Sequence, residues 1–131
     1  MITREEILND QECPEELEDN LDELLRKINI VRDQWGKPMT VSSGWRSKED
    51  QIRIYAQKGI TDIKKIPMTS KHFSCQAVDI YDPKKELQEW IKKNLPLMEK
   101  IGVWFEDFSY TPNFVHFQTV PPKSGRRFFI P

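Results

Sequence analysis

Five consecutive residues, Ala77-Val78-Asp79-Ile80-Tyr81, constrain this chain more than any others. Read as a strand, they send Ala77, Asp79 and Tyr81 to one face and Val78 and Ile80 to the other. A carboxylate in so apolar a run needs a partner if it faces the interior. Downstream, Phe114-Val115-His116-Phe117-Gln118 repeats the design, with a polar side chain aimed off a strand between apolar neighbours. The chain has 2 histidines. One is His116; the other, His72, stands seven positions before Asp79. Imidazole nitrogens and a carboxylate oxygen are zinc's usual donors where a catalytic site keeps one coordination position open. His72, Asp79 and His116 thus offer one three-ligand set of the kind zinc takes. The residues by themselves leave a second reading open: both histidines are structural and the chain is a small α+β interaction domain.

The rest of the chain reads as scaffolding for that set. Thr3 and Glu6 have capping-box spacing, which predicts a short helix from Thr3. Pro14, Glu15 and Glu16 suit a first helical turn. Leu17, Leu21, Leu24, Leu25, Ile28 and Val31 follow at helical spacing until Gly36 and Pro38. Met39 to Ser43 reads as a strand. Ser47, Glu49 and Asp50 open a second helix with Ile52, Tyr55 and Ala56 toward the core, stopped by Gly59. Lys84 to Asn94 predicts a third, with Leu87, Trp90 and Ile91 on one face, Pro96 interrupting it and a short helical turn resuming to Lys100. Gly102 to Phe105 and Phe114 to Gln118 read as two antiparallel strands joined by a loop. The tail from Val120 is expected to be extended and ordered, because its aromatic residues call for burial.

Composition sets limits on function. With 131 residues and no repeat or linker, the chain is expected to form one domain, 1–131. Its 20 basic and 21 acidic residues nearly cancel, which argues against a field that gathers nucleic acid or a membrane surface. Two cysteines, Cys13 and Cys75, make no disulfide framework and read as free thiols. The first residues, Met-Ile-Thr-Arg-Glu-Glu-Ile, lack a signal peptide's basic start and apolar run.

Three segments carry a resemblance. Ser70-x-His72-x-x-Cys75-x-Ala77-x-Asp79 resembles the Ser-x-His-x-x-Gly-x-Ala-x-Asp signature of the zinc D-alanyl-D-alanine carboxypeptidase family. That family includes vancomycin-resistance dipeptidases, phage L-alanyl-D-glutamate endolysins and other murein peptidases. Ser42-Ser-Gly-Trp-Arg-Ser47 resembles its Ser-Gly-Tyr-Arg-Ser segment, and Phe114-Val115-His116 its aromatic-x-His. In order and spacing, the three cover most of the chain from Val41 to Gln118. The resemblance implies an α+β fold, with helices packed on a small, mostly antiparallel sheet, shared with the Hedgehog signalling domain. It implies zinc on His72, Asp79 and His116, and Arg46 near the metal, touching the substrate or the developing oxyanion. Ser70 would bind substrate or fix the His72 loop.

Two positions depart from the pattern. Cys75 replaces the usual glycine, at a position that is not a ligand position. Asn113 stands three residues before the last histidine ligand, where many members carry a glutamate or histidine base. An amide takes no proton from water at neutral pH. The base is therefore expected from Glu106 or Asp107 in the preceding loop, with Glu106 preferred and Asn113 left to substrate binding. The implied activity is zinc-dependent hydrolysis of peptidoglycan stem peptides, of the D-Ala-D-Ala carboxypeptidase or L-Ala-D-Glu endopeptidase type. The alternative is a metal-binding, catalytically weak wall-binding or virion module. The expected state is a monomer, made in the cytoplasm without a signal peptide. It would act on the wall after release or as part of a virion.

Overall fold

A computed structural model describes residues 1–131. The first helix, α1 (Arg4–Leu8), starts where its capping box predicts. Thr3 Oγ1 accepts from the Glu6 N–H at 3.3 Å, and Glu6 Oε1 accepts from the Thr3 N–H at 3.2 Å. The acidic turn Glu15–Leu17 is 3-10, and the long helix α2 (Glu18–Trp35) follows, closing on Gly36 at φ +77°. Its predicted stripe is the core face: Leu21, Leu24, Ile28 and Val31 are buried.

Strands β1 (Val41–Ser43), β2 (Ala77–Tyr81), β3 (Trp104–Glu106), β4 (Phe114–Gln118) and β5 (Phe128–Phe129) form one sheet, ordered β1-β2-β4-β3-β5. All pairings are antiparallel except β3 with β5, so the architecture is the expected α+β with a mostly antiparallel sheet. Helices α3 (Lys48–Gln57), α4 (Glu86–Lys93) and α5 (Leu95–Ile101) complete the fold. Val78 and Ile80 of β2, Val115 and Phe117 of β4 and Phe105 of β3 share one buried cluster with Leu24, Ile28, Leu87, Ile91 and Met98 of the helices. Each such side chain contributes roughly 1.5–3 kcal/mol on burial. The buried Asp82 carboxylate caps α4, accepting from the Leu87 and Gln88 N–H groups at 3.1 and 2.9 Å. No helix is long and apolar enough to cross a membrane.

Several local expectations need correction. In α3 the buried residue is Gln51, whose Nε2 donates to Pro67 O at 2.9 Å; Ala56 is exposed. The break at Pro96 and the resumed helix are as expected: α4 is capped by Asn94, and Pro96 lies in the first turn of α5, where its missing N–H costs nothing. Met39 and Thr40 precede β1 rather than belong to it. The loop after β3 contains a 3-10 turn, Phe108–Tyr110.

Candidate metal centre

The pairing register sets the site. Asp79 in β2 stands directly opposite His116 in β4, and Ser43 of β1 stands opposite Asp79. Phe105 pairs with Phe117, so the next step brings Glu106 beside His116, and Glu106 pairs with Phe129 of β5. Phe129, Glu106, His116, Asp79 and Ser43 thus form one row across all five strands, on the face away from α2, α4 and α5.

His72 reaches that row from a loop rather than a strand. Its ring Nδ1–H donates to Gly44 O at 2.7 Å. Its carbonyl accepts from the Arg46 N–H at 3.3 Å, and its N–H donates to Ser70 Oγ at 3.2 Å. The loop is tied further by Trp45 Nε1 to Phe73 O at 3.1 Å and by Asn20 Nδ2, from α2, to Ser74 O at 3.0 Å. Gly44 is placed by α1: the Trp45 N–H bonds the Ile7 carbonyl, and a β-carbon on Gly44 would run into that same carbonyl. The glycine therefore permits a close backbone approach that carries the acceptor for His72. Cys75, at the usual glycine position, adopts φ +56° with its side chain fully buried. The left-handed conformation persists there despite a β-carbon, at a cost of roughly 1–2 kcal/mol.

The three side chains meet. One donor atom from each of His72, Asp79 and His116 lies within 4.8 Å of the others, and all three residues are buried. His72 Nε2 is 3.3 Å from Asp79 Oδ1, and His116 Nδ1 is 2.9 Å from the same oxygen. Their hydrogen bonds fix which ring nitrogens carry protons. Gly44 O can only accept, so His72 holds its proton on Nδ1 and turns a lone pair on Nε2 toward Asp79. Gln118 Nε2 donates to Val120 O at 2.9 Å, which leaves Gln118 Oε1 facing His116 Nε2, also at 2.9 Å. His116 therefore holds its proton on Nε2 and turns the Nδ1 lone pair inward. Three lone pairs converge in a buried site with no proton between them. Such a set is suited to holding a metal ion, and these nitrogen and oxygen donors are those zinc takes.

The electrostatics agree. Burial alone would push the Asp79 carboxyl up, but in the metal-free protein protonated His116 and His72 beside it outweigh burial and hold the group down at about 2. Burial likewise works against a charged His116, yet the Asp79 hydrogen bond and the Asp79 and Glu106 charges raise its pKa. Without a metal, the cluster draws a proton onto His116 instead.

Other expected residues fall into two groups. Glu106 Oε1 lies 3.7 Å from His116 Nδ1, and Glu106 shares with His116 and Ser70 the lining of a cavity of about 930 Å³. Asp107 instead caps the 3-10 turn, accepting from the Ser109 N–H at 2.9 Å and the Ser109 hydroxyl at 2.7 Å. Arg46 lines other cavities, with its Nε donating to Ser43 Oγ at 3.3 Å. Asn113 is exposed ahead of β4 and not in the Glu106 cavity lining; its carbonyl accepts from the Asp82 N–H at 2.8 Å. Four aromatics near these segments do not wall the cleft: Phe105 faces the core, Tyr110 is exposed, Trp45 lines another cavity, and Trp104 lies under Arg127. Pro121, Pro122 and Phe129 wall it instead. Sequence reasoning missed Gln118. Its signal was present, since residues two apart on a strand share a face, which puts Gln118 beside His116.

Comparison with known proteins agrees with this geometry. The family model described as Peptidase M15 matches residues 1–117. Neither curated proteins nor solved structures gave a match. A match over most of the length, with His72, Asp79 and His116 gathered in one buried group, places the chain in the Peptidase M15 family of zinc D-Ala-D-Ala carboxypeptidases and murein peptidases.

Proposed function

We propose that this chain is a one-zinc peptidase cleaving peptidoglycan stem peptides, as a D-Ala-D-Ala carboxypeptidase or an L-Ala-D-Glu endopeptidase. Family membership supports a zinc peptidase on peptidoglycan peptides in general. The observation that carries the catalytic reading is Glu106, set beside His116 at the mouth of the metal row. His72 Nε2, Asp79 and His116 Nδ1 would hold the ion. Zinc there supplies Lewis acidity, bringing water toward ionisation near neutral pH and polarising the scissile carbonyl.

Glu106 takes the proton from the attacking water and delivers it to the leaving amine. It fills the role that Asn113 cannot, from the neighbouring strand rather than from β4. Ser70 steadies the His72 loop through its bond to the His72 N–H and exposes its remaining hydroxyl capacity to the cleft. Arg46, one hydrogen bond from Ser43 in the metal row, is suited to an oxyanion or a substrate carboxylate. Asn113 stands roughly 10 Å before His116 along the strand, within reach of a bound peptide's far end.

Purified murein incubated with the zinc-loaded protein should yield new amine ends. Glu106→Gln should lower kcat by about 10²–10⁴-fold while zinc content stays at the parent value. Unaltered turnover would remove Glu106 from the mechanism. Absence of new amine ends in the zinc-loaded parent would remove the peptidase reading.

A further inference from the structure

Cys13 and Cys75 take no part in the metal row, yet both are free thiols within the main buried cluster. Inside it they lie beside each other, close enough that each moves the other's pKa. Two distant segments bring them there. Cys13 stands between α1 and the 3-10 turn that leads into α2. Across that junction the Arg4 guanidinium bonds both carboxylate oxygens of Glu18, at 2.8 and 3.0 Å. Cys75 ends the His72 loop, three residues after His72 and four before Asp79. The Asn20 side chain of α2 donates to Ser74 O at 3.0 Å, so the same two segments are bonded again one residue from Cys75.

The backbone at Cys75 adds a second observation. Its φ of +56° is disfavoured for any residue with a β-carbon, and a glycine would hold the turn without strain. What the cysteine adds over glycine is a buried sulfur set against Cys13. That sulfur is not part of a metal site, because the group of three donors able to hold an ion is His72, Asp79 and His116. The chemistry left to two adjoining thiols is oxidation to a disulfide.

We propose that Cys13 and Cys75 are a dithiol that closes to a disulfide under oxidising conditions and staples the His72 loop to the start of α2. The bond would close residues 13 to 75 into one loop that holds α2, β1 and α3. With glutathione disulfide as oxidant, the step balances by two exchanges. The Cys13 thiolate attacks the oxidant and expels one glutathione thiolate. Cys75 then attacks the Cys13 sulfur and expels the second, and the two cysteine protons pass to the departing thiolates. Burial pushes the Cys75 thiol up to about 12, and burial and the Glu18 charge raise Cys13 as well. The thiolate is the attacking species, so closure is slow. The pair is therefore a staple set once in an oxidising compartment, not a rapid sensor.

The test uses the full zinc-loaded chain, first reduced and then incubated without denaturant in excess glutathione disulfide at mildly alkaline pH. Peptide mass mapping without reductant should find Cys13 joined to Cys75 within one chain. The oxidised protein should melt about 5 °C or more above the reduced protein. Its zinc content should be unchanged, and zinc release to excess chelator should slow by about 3-fold or more. Cys13→Ala should abolish both differences between the oxidised and reduced states. Thiols that stay free or carry only glutathione, a cross-link between chains, a melting point that does not rise on oxidation, or zinc release at equal rates in the two states would each overturn the staple. None of these readouts involves hydrolysis, so the outcome is independent of the peptidase reading.

Discussion

His116 and Phe117 are neighbours in β4, yet they end in opposite environments. Phe117 packs edge-on to Phe105 at 5.2 Å among the side chains that meet the helices. His116 turns to the other face, into a row of polar groups whose lone pairs point at one another. The same alternation divides Ile80 from Asp79 in β2 and Phe105 from Glu106 in β3. One face lowers its free energy by burial alone. The other gathers nitrogen and oxygen donors that could hold a metal ion. The comparison teaches that the helix-facing side should determine whether the protein folds, and the metal row what the folded protein can bind.

The largest separation between the faces should come from Asp79→Ala. Zinc measured by mass spectrometry should fall from about one per chain to near zero, while the circular dichroism spectrum stays that of the parent. Retained zinc would break the comparison outright. Next in size is Phe117→Ala, which should cost about 3–5 kcal/mol in urea unfolding. Its folded fraction should still take up zinc. A smaller effect is expected at Gln118→Ala. With the Nε2–H partner gone, the His116 ring is free to swap tautomers, and zinc affinity measured by chelator competition should drop about 10–100-fold.

The subtlest test is the pH dependence of thermal unfolding, with and without chelator. In the metal-free protein, His116 has a raised pKa, so its stabilisation is complete below 6.5 and is lost as pH climbs through the folded value. Asp79 works in the other direction: its contribution is present above 3.8 and is lost as pH falls toward about 2. Zinc must displace the His116 proton, so the zinc-loaded protein should gain stability over the range where the metal-free protein loses it. Parallel curves would mean that the ion does not sit on His116.

Much of this division could be read from the chain itself. Period-two alternation in Ala77–Tyr81 and Phe114–Gln118 gives both faces, and the 3.6-residue stripe from Leu17 to Val31 gives the helix that covers one of them. Asp79 and His116 were legible because a polar group between apolar strand residues must find a partner. Ser70 came with the motif it shares with His72, and Glu106 as the nearest acid in what read as a loop but is the end of β3; both line the cleft. Register was not legible: nothing local announces that β3 slides to bring Glu106 beside His116 while Asn113 stays outside the lining. Nor was the close approach of α1 to Gly44, a contact between segments far apart in sequence. Phe129's place at the end of the row depends on a parallel pairing that no turn motif signals.

The claim beneath all of this is that two imidazoles and one carboxylate hold a single zinc ion, with no sulfur among its ligands. X-ray absorption at the zinc edge of the purified protein tests it directly. The expected first shell contains two imidazole nitrogens and oxygen, at about 2.0–2.2 Å. A sulfur shell near about 2.3 Å, or a spectrum unchanged by His116→Ala, would contradict it.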